Sequence, residues 1–162
     1  MARPFTVLAL IADPALGRQV KDVLGSCADA VRTSESSSLA WTQLERQPSS
    51  LLLVDWTTSR GDREDLCRRV RMRATHDGMP ILALVAEDDA HEVRRVLDAG
   101  ADDFLLVPFA GLALENRIAA IQRRLRAGGP PRKPRRPPWR PTMRGTPTTS
   151  PPRATRPWRR TG

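Results

Sequence analysis

The chain has 162 residues, 28% of them charged and only 4% aromatic, which leaves room for one domain of ordinary size with a buried core and an appendage. Its net charge of +9 is unevenly spread: of the 27 Lys and Arg, ten lie between Gly128 and Gly162, a span without an acidic residue, leaving 17 against all 18 acids before it. No stretch approaches the about 18 consecutive apolar residues of a membrane span, so no membrane role is expected. The two cysteines, Cys27 and Cys67, lack a CxxC spacing, which points to a reduced cytoplasmic protein and away from a disulfide framework or a zinc site.

In chain order, Phe5 to Ala12 is apolar behind Arg3, but the run is short for a signal peptide and leads directly into Asp13-Pro14. Thr6 to Ile11 therefore reads as a buried first strand, and Asp13 and Pro14 as the N-cap and first position of a helix. Leu16, Val20, Val23 and Leu24 give that helix one apolar face. A second strand is expected over Ala28 to Arg32 and a second helix over Ser36 to Gln47, with Leu39, Ala40 and Leu44 inward.

Leu51-Leu52-Leu53-Val54-Asp55 is the clearest strand, four apolar residues without polar alternation that deliver one carboxylate to the strand's C-terminal end. In open α/β sheets ligands and reacting groups gather at that edge. A polar loop over Thr57 to Gly61 and a helix over Asp62 to Ala74 follow, with Leu66, Cys67 and Val70 inward. Ile81 to Val85 is a second doubly buried strand, opened by Pro80. The next helix runs from Asp89 to Asp98, with Ala90, Val93, Val96 and Leu97 on one face and Gly100 as its C-terminal stop. Phe104 to Val107 is the fifth strand, and Leu112 to Arg126 the last helix, with Leu114, Ile118, Ile121 and Leu125 inward. Five alternations of strand and helix predict right-handed crossovers and a five-stranded, doubly wound parallel sheet in residues 1–127. From Gly128 to Gly162 ten prolines accompany the cations and few aliphatics remain, so this tail is expected to be disordered with local polyproline II character.

Asp13-Pro14 after an apolar strand, Leu53-Val54-Asp55, Leu84-Val85-Ala86-Glu87-Asp88-Asp89, and Ala99-Gly100-Ala101-Asp102-Asp103-Phe104-Leu105 running into Pro108-Phe109 together resemble a bacterial response-regulator receiver domain. The resemblance covers residues 5 to about 126. It implies a flavodoxin-like receiver fold that accepts a phosphoryl group from a histidine kinase onto Asp55 in a two-component phosphorelay, with Mg²⁺ as cofactor. It also implies a switch and partner face at Val85, Phe104 and Val107, used for partners or a homodimer through the fourth helix, fifth strand and last helix.

The chain departs from the family at the reactive positions. The acidic pair that binds Mg²⁺ is replaced by Ile11 and Ala12, the hydroxyl residue after the fourth strand by Val85, and the lysine after the fifth by Val107. In the loop after Asp55 the usual Met-Pro and Gly give way to Thr58, Ser59 and Arg63, while Phe104 keeps the switch-aromatic position. Metal ligation is left to Asp55, joined by Asp13 only through a register change, since Asp13 otherwise caps its helix. Phosphoryl transfer is chiefly the placement of charges that neutralise the transferring oxygens, so acylphosphate formation is expected to be slow or absent. The alternative for Asp55 is a solvated strand-end carboxylate.

His76 and His91 read as surface residues, and Asp88, Asp89, Asp102 and Asp103 as caps and loop residues instead of a metal cluster. No nucleophile-base pair, cofactor loop or metal-ligand spacing supports an independent enzyme. The tail carries three further readings: its cations with Trp139 and Trp158 fit a polyanion or nucleic acid, its prolines fit a linker or a proline-rich ligand, and its composition fits a truncated or frameshifted regulator lacking an output domain as well as it fits polyanion binding. The expectation is a divergent, pseudo-receiver-like protein acting mainly through protein-protein contact.

Overall fold

The computed structural model describes residues 3–58, 60–73, 75–76, 78–86 and 90–128. The element order is β1 (Thr6–Leu10), α1 (Pro14–Leu24), β2 (Ala30–Ser34), α2 (Ser37–Arg46), β3 (Leu51–Asp55), α3 (Arg60–Met72), β4 (Ile81–Val85), α4 (Ala90–Asp98), β5 (Asp103–Leu106) and α5 (Gly111–Arg126). The strands form one sheet in the order β2-β1-β3-β4-β5 with every pairing parallel. Successive strand residues point to opposite faces, so the continuous apolar runs of β1, β3 and β4 feed two cores at once. Leu8, Leu52, Val54, Ile81 and Ala83 pack with α2, α3 and α4 on one face, while Val7, Leu51, Leu53, Leu82 and Leu84 pack with α1 and α5 on the other. Because strand order reverses beside β1, the C-terminal ends of β1 and β3 open onto the switch point where such sheets place their sites.

Helix starts follow the expected chemistry. Asp13 caps α1 by accepting the amide of Ala15 at 2.8 Å, with Pro14 at the first helical position, and Ser36 caps α2 through the amide of Leu39 at 3.3 Å. Gly100 ends α4 at φ +114°, and the amide of Ala101 reaches back to the Val96 carbonyl at 3.2 Å, closing the turn.

Several expectations are corrected. β2 begins two residues later than expected, because Ala28 still bonds to the Leu24 carbonyl and only from Ala30 does the chain pair with Thr6. α3 starts inside the expected polar loop, at Arg60. β5 is displaced one residue toward the N-terminus by its ladder with β4, where Leu82 faces Asp103 and Val85 faces Leu106. Leu39 is 57% exposed, since Ser37, Ala40 and Leu44 form the inward stripe of α2. Ala90 is exposed and Leu125, in the last turn of α5, is 38% exposed. His76 is buried, its ring set edge-on against Trp41 at 6.1 Å, whereas His91 is exposed. Cys67 lies in the core, where burial pushes its thiol up to about 12, so it stays protonated and unreactive. The expectations for Asp88, Asp89 and the tail beyond Gly128 lie outside the described residues.

Candidate functional site around Asp55

Asp55 sits at the last position of β3, where ladder pairing with Leu84 fixes it at the sheet's C-terminal edge. It is not solvated: its exposure is 0%. A buried carboxylate is tolerated only when its oxygens are hydrogen-bonded, and the following turn supplies the donors. Oδ1 accepts the Thr57 amide at 2.9 Å and the Thr57 hydroxyl at 2.6 Å, while the Thr58 hydroxyl lies 3.5 Å from Oδ2. This is an Asx-type turn, so the sequence Asp-Trp-Thr-Thr closes on its own carboxylate.

Beneath the turn lies Arg63, 1% exposed, where the family pattern carries Gly. Its Nε donates to the Asp55 carbonyl at 3.3 Å, and its guanidinium also donates to the Ser37 hydroxyl at 3.2 Å and to Asp62 at 3.4 Å. Burial pulls the Arg63 pKa down, and the negative charges of Asp62 and Asp55 pull it back up. A fixed cation thus sits next to Asp55 from within the fold.

The other predicted residues are distributed around this edge. Asp13 is exposed and engaged in capping α1. Ile11 and Val85 are buried, and Val107 is half-buried with its amide bonded to the Val85 carbonyl at 2.7 Å. Phe104 is half-buried on the α2-α3-α4 face of the sheet, while Val107 packs on the α1-α5 face. Ile11, Val85 and Val107 therefore present hydrocarbon at the C-terminal edge of the sheet.

Two buried residues of the site escaped the sequence reading, apart from Arg63. Trp56 is 1% exposed and its indole Nε1 donates to Oε1 of Glu92 on α4 at 2.8 Å, with Glu92 itself buried. A signal for the two charged residues was present: Arg63 shares an i, i+3, i+7 stripe with Leu66 and Val70, and Glu92 shares an i, i+4, i+7 stripe with Val96 and Ala99.

Residues 10–119 match the pattern of the response regulator receiver domain. The chain belongs to that family. It is similar to the response regulator RppA of Synechocystis sp., 36% identical over 111 residues that make up 67% of this chain and 47% of the relative. It is also similar to the response regulator MprA of Mycobacterium leprae, 35% identical over 118 residues, 73% of this chain and 51% of the relative. The chain thus spans about half the length of these curated relatives. Among solved structures, a putative response regulator from Chloroflexus aurantiacus superposes with a TM-score of 0.70 at 30% identity, covering 75% of this chain and 100% of that one. The receiver domain is a signalling unit of two-component systems.

Receiver domains commonly bind Mg²⁺ for phosphorylation, and the residues of this receiver domain do not fit that ion. Among the described residues no group of three His, Cys, Asp or Glu side chains is arranged to hold a metal. Mg²⁺ demands carboxylate oxygens with open coordination, whereas Asp55 is enclosed by its own turn and Asp13 faces solvent as a cap. Among the described residues no helix is long and apolar enough to cross a membrane.

Proposed function

We propose that this receiver domain serves two-component signalling chiefly through protein-protein contact, with a histidine kinase or another regulator as partner, and that Asp55 is not an efficient phosphoacceptor. The observation that carries this reading is the enclosure of Asp55: 0% exposed, with both Thr57 donors on Oδ1. Attack on phosphorus needs a carboxylate oxygen free to approach in line, and the developing charge needs neutralising groups. Here Oδ1 is taken by both Thr57 donors and Oδ2 is buried beside the Thr58 hydroxyl. Ile11, Ala12, Val85 and Val107 supply no charge, and the nearby Arg63 guanidinium is buried and donates to the Asp55 carbonyl. The docking face we assign is α4, β5 and α5, where Phe104 and Leu106 are half-buried and Leu112 is 66% exposed, and through which a homodimer is also proposed.

Incubated with acetyl phosphate and Mg²⁺, the full chain is expected to show no Asp55-dependent shift on a phosphate-affinity gel, under conditions that label an active receiver domain. Its partner interactions are expected to survive Asp55→Asn. A labelled band that disappears in the Asp55→Asn variant overturns the reading.

A second reading attaches to residues 128–162. Their ten Lys and Arg occur without an acid, and each tryptophan sits in a Pro-Trp-Arg triplet, Pro138-Trp139-Arg140 and Pro157-Trp158-Arg159. Cations neutralise nucleic-acid phosphates and indole rings stack on bases without sequence preference. Binding to single-stranded oligonucleotides is expected to weaken steeply with added salt and to vanish when residues 129–162 are removed. Unchanged affinity after that truncation contradicts it.

A further inference from the structure

The contact between Trp56 and Glu92 stands apart from the features already described. α4 is short, and its buried side chains are Glu92 and Val96. The C-terminal half is seated by hydrocarbon, Val96 at 0% exposure with Ala99 just beyond the helix at 2%. The N-terminal half is seated by a carboxylate, Glu92, 7% exposed, whose Oε1 accepts the Trp56 indole at 2.8 Å. α4 is also tied to α3 by Arg95 and Glu64 at 3.0 Å, but Arg95 is 49% exposed, and such surface pairs contribute little. A buried hydrogen bond to a carboxylate is stronger, and costly to leave unmade.

Trp56 is also part of the turn that encloses Asp55. Its amide donates to the Leu84 carbonyl at 2.8 Å, and it lies between Asp55 and the Thr57 amide and hydroxyl that bind Oδ1 at 2.9 and 2.6 Å. The indole that reaches Glu92 and the Thr57 donors that close on Asp55 are thus carried by the same turn.

We infer that the Trp56–Glu92 hydrogen bond is a physical link between the Asp55 turn and α4, coupling them directly where Val85 has no hydroxyl to do so. Opening of the turn unseats the N-terminal half of α4, and by reciprocity a partner that holds α4 down also holds the turn closed. The link acts whether or not Asp55 accepts a phosphoryl group, so it stands or falls independently of the proposed function.

Hydrogen exchange on the full chain tests it. Trp56→Phe removes the donor and keeps most of the ring, Glu92→Ala removes the acceptor, and Glu92→Gln keeps an acceptor oxygen. The first two variants are expected to accelerate exchange in residues 90–95 and in residues 56–58 together by about tenfold or more, with α1 and α5 unchanged, and Glu92→Gln by roughly threefold or less. Acceleration in α4 with residues 56–58 unchanged, uniform acceleration across all elements, or no acceleration in either segment each overturns the link. Should Glu92→Ala fail to fold, Trp56→Phe alone gives the same decision.

Discussion

Replacing Arg63 with alanine is expected to lower the stability of the domain by about 3 kcal/mol. The guanidinium is 1% exposed and donates to the Asp55 carbonyl and the Ser37 hydroxyl, so it fastens the end of β3 to the start of α2 from its place on α3. Truncation takes away those donors, leaves a cavity where the stem was, and strips the buried Asp55 carboxylate of the cation beside it. Arg63→Met fills the stem's volume without restoring donors or charge, and is expected to fall between alanine and the unmodified chain. Because part of the loss is the stranded charge, Asp55→Asn is expected to recover about 1 kcal/mol or more of it in a double-mutant cycle. Urea unfolding with an unchanged slope reads these differences. An Arg63→Ala variant within about 0.5 kcal/mol of the unmodified chain contradicts this role for the guanidinium.

Gly100→Ala is expected to be about as damaging, roughly 3 kcal/mol, with a fall in melting temperature on the order of 10 °C. Gly100 ends α4 at φ +114°, a conformation open to glycine and strained for any residue with a Cβ. The added carbon also meets Cγ of Arg71 at 2.7 Å. Arg71 has little freedom to retreat, because it donates to the Gly100 carbonyl at 2.8 Å, to the Met79 carbonyl at 2.8 Å and to Asp102 at 2.5 Å. Asp102 in turn accepts the Ile81 amide at 2.8 Å at the start of β4, so the clash reaches the β4-β5 junction. In an Arg71→Ala background the same substitution is expected to cost only the backbone part, roughly half as much. Equal costs in both backgrounds contradict the steric account.

The parts of the fold that were legible in the sequence are those where burial alone decides. β3 and β4 lie where their apolar runs place them, because a strand covered on both faces tolerates no polar interruption. β2 was displaced by two residues because it is an edge strand, half-exposed, whose limits are set by pairing with β1 instead of by hydrophobicity. At the site, the place of Asp55 at the end of β3 was legible, but its burial was not. The expected alternative was a solvated carboxylate, and the structure buries it, since Thr57 and Thr58 satisfy it from within the same turn. The burial of Arg63 and Glu92 was not anticipated, because periodicity arguments count apolar residues and pass over a charge on the inward stripe. Their partners, the Asp55 carbonyl, Ser37 and the Trp56 indole, come from other elements, and local sequence carries no record of them.

The central claim is that this receiver domain holds Asp55 closed and does not use it for metal-dependent phosphorylation. A two-dimensional amide NMR titration of the full chain, first with Mg²⁺ and then with beryllofluoride as the phosphate mimic, addresses it most directly. The expected result is no saturable shift at Asp55, Thr57 or Thr58 and none at Phe104. Saturable shifts that cluster at Asp13, Asp55 and Thr57 and spread to Phe104 contradict it, and establish a working phosphoacceptor built from residues other than the family's.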